Sequence, residues 1–214
     1  VTSIMDMPNT NPLTVTLDAL NAKLDLLNEK CIVNHSCYFG ATNNNYTEFD
    51  KLDKHRVCGI KLFMGSSTGN MLVDKMNSLL NIFNGTDMLI AAHCEDQETI
   101  KNNIEKYKQK YKGADDIPVS AHPSIRSVPA CYASSELAVR LAKIAGARLH
   151  ILHVSTAKEL QLFSDEPLAN KNITAEACVA HLLFTLTHYN SLGARLPLNE
   201  KQTGKHCGPL STQD

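Results

Sequence analysis

Short β-rich segments alternate with amphipathic helical patterns along most of the chain. The strand-like segments span residues 1–7, 31–39, 57–64, 88–94, 148–154 and 173–179. Apolar residues recur between them at helical spacing, as in Leu17, Leu20, Leu24 and Leu27. Because each helix returns the chain in the same direction, strands joined in this way pair in parallel. The sequence therefore predicts an α/β fold, either an open doubly wound sheet or a (β/α)8 barrel.

The length of the chain limits how complete a barrel could be. A (β/α)8 barrel normally needs about 250 residues and eight strands, whereas 214 residues supply six strand candidates. No GxGxxG or GKS/GKT loop follows the first strand, so nothing supports a dinucleotide or P-loop site. A barrel would therefore lack two strands. From about residue 196 the sequence is polar and without periodicity, so we expect a tail or loop at 196–214. The abrupt start, without an initiator Met, suggests a fragment.

Charge and cysteine usage narrow the possible partners. Lys plus Arg number 21 and Asp plus Glu 22, so a net charge of -1 gives no reason to expect nucleic acid or an anionic membrane. We expect a small-molecule substrate or a protein partner. Seven cysteines without a CxxC pair predict reduced thiols and a cytoplasmic location. No apolar run is long enough to span a bilayer.

Polar side chains follow several of the predicted strands, where strand gives way to loop. In a parallel barrel these carboxyl ends converge on one face. The candidates are Asp6, Asn9, Lys61, His93, Glu95, Asp96, His150, His153, Glu176 and His181. A single strand histidine is more often a hydrogen-bonded core or rim residue than a ligand. Their recurrence at matching positions indicates a metal site.

Lys61 stands inside the apolar run "GIKLFMG". Burial disfavours the ammonium form, and a neutral amine can take up carbon dioxide as a carbamate. That anion could bridge two metal ions that also bind imidazoles, with His93 and His153 as the natural ligands. The alternative is that Lys61 reaches a solvent-exposed rim or pairs with a carboxylate such as Glu95.

The two histidines of "RLHILHV" are three residues apart, so on a strand they face opposite sides. Only one of them can point into a barrel. His153 is the better candidate ligand because it lies next to the loop. We expect His150 to lie under a helix.

Five motifs together resemble the dihydroorotases of the amidohydrolase superfamily, over roughly residues 1–195. They are "MPNTNP", "GIKLFMGSS", "AAHCED", "LHILHVSTAKEL" and "ITAEACVAHLLFT". The resemblance implies a (β/α)8 TIM barrel with two zinc ions. It also implies that residues 1–195 form an incomplete barrel of about six βα units, followed by a divergent polar tail at 196–214. It implies reversible interconversion of N-carbamoyl-L-aspartate and L-dihydroorotate in pyrimidine biosynthesis, through attack of a zinc-bound hydroxide on the ring amide.

The resemblance also assigns roles to residues of this chain. Lys61 is similar to the carboxylated lysine that bridges the metals in hydantoinases and some dihydroorotases, and His93 and His153 would be metal ligands. Asn9 would bind the substrate carboxylate. Asn199 falls roughly where the family has a second substrate-binding asparagine, although "LPLNEK" departs from the family pattern around it.

Two parts of the family pattern do not occur in these 214 residues. The first is a His-x-His pair, and the second is a catalytic aspartate in a "DHAPH"-like motif. The catalytic aspartate is therefore not assigned, and we expect this segment alone to be inactive and unable to close a barrel. Its unpaired sheet edges would favour association, as in a homo-oligomer such as a dimer.

Two other functions are compatible with the same motifs. A dihydroorotase-like chain could be a non-catalytic structural partner of aspartate carbamoyltransferase. Alternatively, a hydantoinase, dihydropyrimidinase or allantoinase would use the same lysine-bridged metal pair on another substrate. The "MPNTNP" loop favours a substrate that carries a carboxylate, as dihydroorotate does.

Overall fold

The computed structural model describes residues 1–65, 67, 69–112 and 117–183. The strands are β1 (Ser3–Asp6), β2 (Asn34–Gly40), β3 (Val57–Phe63), β4 (Ile90–His93), β5 (Leu149–Ile151) and β6 (Ile173–Ala175). The helices are α1 (Leu17–Lys30), α2 (Met76–Asn84), α3 (Gln97–Lys110), α4 (His122–Ile125), α5 (Val128–Ala145) and α6 (Val179–Leu183). Short 3-10 helices cover Tyr46–Lys51, Val119–Ala121, Ala157–Leu162 and Leu168–Asn170. The predicted tail at 196–214 lies outside the described residues.

The six strands form one sheet in the order β1-β2-β3-β4-β5-β6. Pairing is parallel, with Asp6 opposite Cys37 and Phe63 opposite His93. All six predicted strands are thus confirmed, as is the α/β class. In the part of the chain that the structure describes, β1 and β6 are the two edges of the sheet. The sheet is therefore not closed, as the strand count predicted.

The first of two compact units contains residues 1–93 and 138–150. Its strands β3 and β4 and the second half of β2 are mostly apolar and buried, with Phe39, Ile60 and Ile90 fully shielded from solvent. Such continuous burial is typical of parallel strands covered on both faces. Strand β1 differs, because its Met5 side chain is 60% exposed.

Helix α1 shows how the sequence sets one boundary in this unit. The hydroxyl of Thr16 accepts a hydrogen bond from the backbone N–H of Ala19 at 3.2 Å, which caps the helix. Leu20 and Leu24, one turn apart, form its buried face. Their burial confirms the helical periodicity from which the element was predicted.

The second unit contains residues 94–137 together with the residues from 151 onward. Asp96 caps α3 by accepting a hydrogen bond from the N–H of Thr99 at 2.8 Å, and its own N–H donates to the carbonyl of Ala130 in α5. Thr156 and Glu159, spaced as a capping box requires, form one around the 3-10 helix Ala157–Leu162.

Two observations complete the description of the chain. Among the described helices, none combines the length and the apolar character needed to cross a membrane. Six of the cysteines lie in the described residues, and none of these six forms a disulfide bond.

Candidate active site

Lys61 lies on β3 and is buried, with 2% of its surface exposed. Its ammonium group donates a hydrogen bond to the carbonyl of Leu62 at 3.1 Å and lies 3.8 Å from the centroid of the Phe63 ring. A desolvated cation–π contact is worth about 2 kcal/mol, which offsets part of the cost of burying the charge. The side chain therefore does not reach a solvent-exposed rim, which was one of the two alternatives for it.

His93 is the last residue of β4 and lies opposite Phe63 in the parallel register. Its imidazole is 2% exposed, and its ring centroid lies 6.0 Å from that of Phe63. The Phe63 ring thus contacts the lysine on its own strand and the histidine on the next. Two of the three predicted metal-binding residues are therefore gathered around one phenyl ring in the first unit.

Gly59 allows β3 and β4 to approach closely at this point. A Cβ atom at this position would lie 2.5 Å from the backbone oxygen of Leu89. Only glycine fits such a distance without a shift of the backbone. The glycine two residues before Lys61 is thus part of what aligns Lys61 and His93 on neighbouring strands.

Asp6 and Asn9 lie at the end of β1 in the same unit. The Asp6 carboxylate forms an ion pair with Lys23 at 2.7 Å, and Lys23 also donates to the carbonyl of Met7. Lys23 therefore fixes the start of the "MPNTNP" loop to helix α1. Asn9 is exposed on this loop, where its side-chain amide is accessible to a solute.

His153 lies in the second unit, two residues beyond the end of β5, and is 3% exposed. The predicted strand 148–154 is shorter than expected because His153 adopts a left-handed backbone conformation, with φ of 42°. Strand alternation therefore applies to His150, which is on β5 and partly buried, but not to His153. The orientation of His153 depends instead on the turn around it.

Glu95 is fully buried and forms an ion pair with Arg126. The alternative sequence interpretation offered Glu95 as a partner for Lys61, whereas the salt bridge shown for Glu95 is with Arg126. His122, from α4, lies near this pair. Burial, with a smaller contribution from the positive charge of Arg126, lowers the pKa of His122 to about 4.

Three of the remaining candidates, Asp96, Glu176 and His181, contribute to the local structure around them. Asp96 is the N-cap of α3. The side chain of Glu176 is exposed, while its backbone accepts a hydrogen bond from the N–H of Val154 and donates to the carbonyl of Ile151. His181 is buried and its Nδ1 accepts a hydrogen bond from the N–H of Cys178 at 3.0 Å. Asn199 lies outside the described residues.

The described residues contain no group of three or more His, Cys, Asp or Glu side chains arranged to hold a metal ion. The predicted set of Lys61, His93 and His153 contains only two residues of those types. A metal site built on it would therefore require an anionic ligand from Lys61. The donor types fit zinc in that case, because imidazole nitrogens and carboxylate-like oxygens are both common zinc ligands.

The chain is similar in sequence to cyclic amide hydrolases, although no family model matches it. A dihydroorotase of Methanosphaera stadtmanae is 28% identical over 205 residues, which is 92% of this chain and 44% of that protein. An allantoinase of Deinococcus radiodurans is 26% identical over 91% of this chain and 44% of its own length. The chain thus spans less than half the length of these relatives.

Solved structures with a similar fold are also cyclic amide hydrolases. The L-hydantoinase (dihydropyrimidinase) of Arthrobacter aurescens superposes with a TM-score of 0.80 at 25% identity, covering 90% of this chain and 43% of that one. A D-hydantoinase superposes with a TM-score of 0.72 at 20% identity. By sequence and by fold, the chain is therefore similar to the cyclic amidohydrolases. Within that class, the resemblance to dihydroorotases is confirmed by relatives of that name at 25–28% identity.

Proposed function

We propose that the whole protein is a dihydroorotase, which interconverts N-carbamoyl-L-aspartate and L-dihydroorotate. The observation that carries this proposal is the buried arrangement of Lys61 and His93 around Phe63, in a chain whose relatives include dihydroorotases. Burying a lysine and an imidazole side by side costs free energy, and ionisable groups buried in this way are concentrated at functional sites.

Lys61, His93 and His153 are the residues that would hold zinc. When bound, the metal would supply a Lewis acid that polarises the ring carbonyl and acidifies water. Lys61 would contribute as a carbamate: its ammonium group first loses a proton, the neutral amine then attacks carbon dioxide, the N–C bond forms as one C=O electron pair moves to oxygen, and the nitrogen releases a second proton. The resulting anion provides two oxygen ligands, which complement the two neutral imidazoles.

Asn9 would orient the substrate. Its amide N–H groups can donate hydrogen bonds to a carboxylate, and the Lys23 anchor holds the preceding backbone of the loop. We propose Asn199 as a second contact to the same substrate. No residue is assigned as the proton-transferring carboxylate, because the motif expected to carry it does not occur in these 214 residues.

The location and the assembly of the whole protein are further parts of the proposal. The described cysteines form no disulfide bonds, which fits a reducing compartment, and we propose a cytoplasmic location. We propose that the whole protein is a homo-oligomer, such as a dimer.

A second candidate function is hydrolysis of a cyclic amide without a carboxylate. The allantoinase relative and the hydantoinase structures favour it. The two candidates differ in whether the substrate carries a carboxylate for Asn9 to bind. Substrate preference therefore separates them.

The test is a comparison of kcat/KM for L-dihydroorotate, dihydrouracil and allantoin, using the whole protein supplied with zinc and bicarbonate. We expect dihydroorotate to be preferred. Asn9→Asp should weaken this preference, because it places a like charge beside the substrate carboxylate. Asn44→Asp, at another exposed asparagine, is the matched control.

Preference for dihydrouracil or allantoin would support the second candidate. No turnover, together with tight binding to aspartate carbamoyltransferase, would support a non-catalytic partner.

A further inference from the structure

Glu159 is a fully buried carboxylate with no role in the proposed chemistry. Its Oε2 atom accepts hydrogen bonds from the backbone N–H of Ser155 at 3.3 Å, the N–H of Thr156 at 3.1 Å and the hydroxyl of Thr156 at 2.9 Å. Its Oε1 atom accepts one from the hydroxyl of Ser135 at 2.5 Å. One side chain thus holds two consecutive backbone amides and ties them to helix α5.

The backbone held by Glu159 is the turn that follows His153. The hydroxyl of Ser155 donates a hydrogen bond to the carbonyl of His153 at 2.9 Å. His153 itself has a φ of 42°, a left-handed conformation that a non-glycine residue keeps only when its surroundings enforce it. Glu159 holds Ser155, and Ser155 holds the His153 carbonyl.

The residue immediately after His153 is also fixed. The N–H of Val154 donates to the carbonyl of Glu176 at 2.8 Å, and the N–H of Glu176 donates to the carbonyl of Ile151 at 3.1 Å. His153 therefore lies between backbone segments that are each anchored by hydrogen bonds. The Glu159 contacts are the ones that come from a single side chain, so a point substitution can remove them.

We propose that Glu159 is a positioning residue for His153: it fixes the turn at residues 155–156 so that the imidazole of His153 is held in one orientation as a ligand. The ligand role of His153 rests on the proposed function, whereas the orienting role of Glu159 does not. Ser135 contributes to the same positioning, because its hydroxyl anchors the second carboxylate oxygen of Glu159 to α5.

The competing explanation is that Glu159 only caps the 3-10 helix Ala157–Leu162, as its capping box with Thr156 would require. Ser135 distinguishes the two explanations, because it binds Glu159 and is not part of the capping box. A pure cap would be insensitive to Ser135→Ala. The matched control is Ser134→Ala, which removes a hydroxyl that is also buried on the same helix.

The experiment measures two quantities in the whole protein: amide hydrogen exchange at residues 154–156 by NMR, and zinc affinity by competition with a chelator. We expect Glu159→Ala to accelerate exchange at these amides and to weaken zinc binding ~10-fold or more. Glu159→Gln should partly rescue both, because its amide oxygen can still accept the backbone hydrogen bonds. Ser135→Ala should show a smaller effect in the same direction, and Ser134→Ala none.

Wild-type exchange rates and wild-type zinc affinity in Glu159→Ala would overturn the proposal. If that variant does not fold, Ser135→Ala decides: equality with Ser134→Ala in both measurements would also overturn it. If the wild-type protein binds no zinc, the proposed function fails, and the exchange rates alone still decide whether Glu159 orders the turn.

Discussion

The ammonium group of Lys61 lies 3.8 Å from the centroid of the Phe63 ring, two residues further along the same strand. Residues i and i+2 of a strand lie on one side of it, so the lysine and the ring share a face of β3. Phe63 in turn lies opposite His93 on β4. This relationship brings together residues of two motifs that the sequence alone presents separately.

Replacing Lys61 by Met should separate stability from function. Methionine fills a similar volume and brings no charge into the core, so we expect the melting temperature to stay the same or rise. Zinc binding should be lost with the bridging ligand. Thermal unfolding and metal content of the purified variant check both expectations. Lys54→Met, at an exposed lysine, is the control; a strongly destabilised Lys61→Met that retains zinc would contradict the assignment.

Removing Arg126 should be costly. Arg126→Met would leave the fully buried Glu95 carboxylate without this ion pair, and we expect a loss of about 3–5 kcal/mol in the free energy of unfolding. Urea denaturation measures this loss. In the double variant Glu95→Gln with Arg126→Met, the loss should be smaller than the sum of the two single losses. Additive losses would show that the two side chains do not depend on each other.

The stability of the fold should fall as the pH drops from about 6.5 to about 4. The pKa of His122 is lowered from 6.5 to about 4 by burial and by Arg126, while the charge of Glu95 acts in the opposite direction. Between these values the unfolded chain binds more protons than the folded chain. The stabilising contribution is therefore fully present above the unfolded value and is lost as the pH falls through the folded one.

The measurement for this prediction is the urea midpoint as a function of pH in wild type and in His122→Gln. The variant should show a shallower decline between about pH 6.5 and 4, because one titrating group has been removed. His55→Gln, at an exposed histidine, is the control. Parallel curves for wild type and His122→Gln would contradict the prediction.

Gly59→Ala should destabilise the protein by about 1–3 kcal/mol, because the new methyl group meets the backbone oxygen of Leu89 at 2.5 Å. The strands must separate to admit it. Since Lys61 and His93 depend on that spacing, we also expect weaker zinc binding. Denaturant unfolding and metal content are the measurements. Unchanged stability would show that β3 and β4 can shift without cost.

Local patterns predicted the elements of this fold well. Each of the six strands and the capping box of Thr156 and Glu159 follow from residues close together in the sequence. The strand ends were less predictable, since β5 ends where His153 turns left-handed rather than where the apolar run stops. The ion pair of Glu95 with Arg126 joins residues 31 positions apart, so no local sequence pattern predicts it.

In the candidate site, too, local features were predictable from the sequence and contacts between distant residues were not. The apolar residues on either side of Lys61 predicted its burial. The role of Phe63 was not, because its contact with His93 depends on the register between two strands. Asp96 was read as a candidate ligand, but its position at the start of α3 makes it a helix cap. Ser135 carried no sequence signal, because its importance arises only from its contact with Glu159.

The most direct test of the proposed function is the rate at which the whole protein opens the ring of L-dihydroorotate, measured beside Lys61→Met with zinc and bicarbonate present. We predict ring opening by the wild type that falls when bicarbonate is removed, and none by Lys61→Met. Equal rates in the two proteins, or no reaction by the wild type under any of these conditions, would contradict the assignment of Lys61 and with it the proposed function.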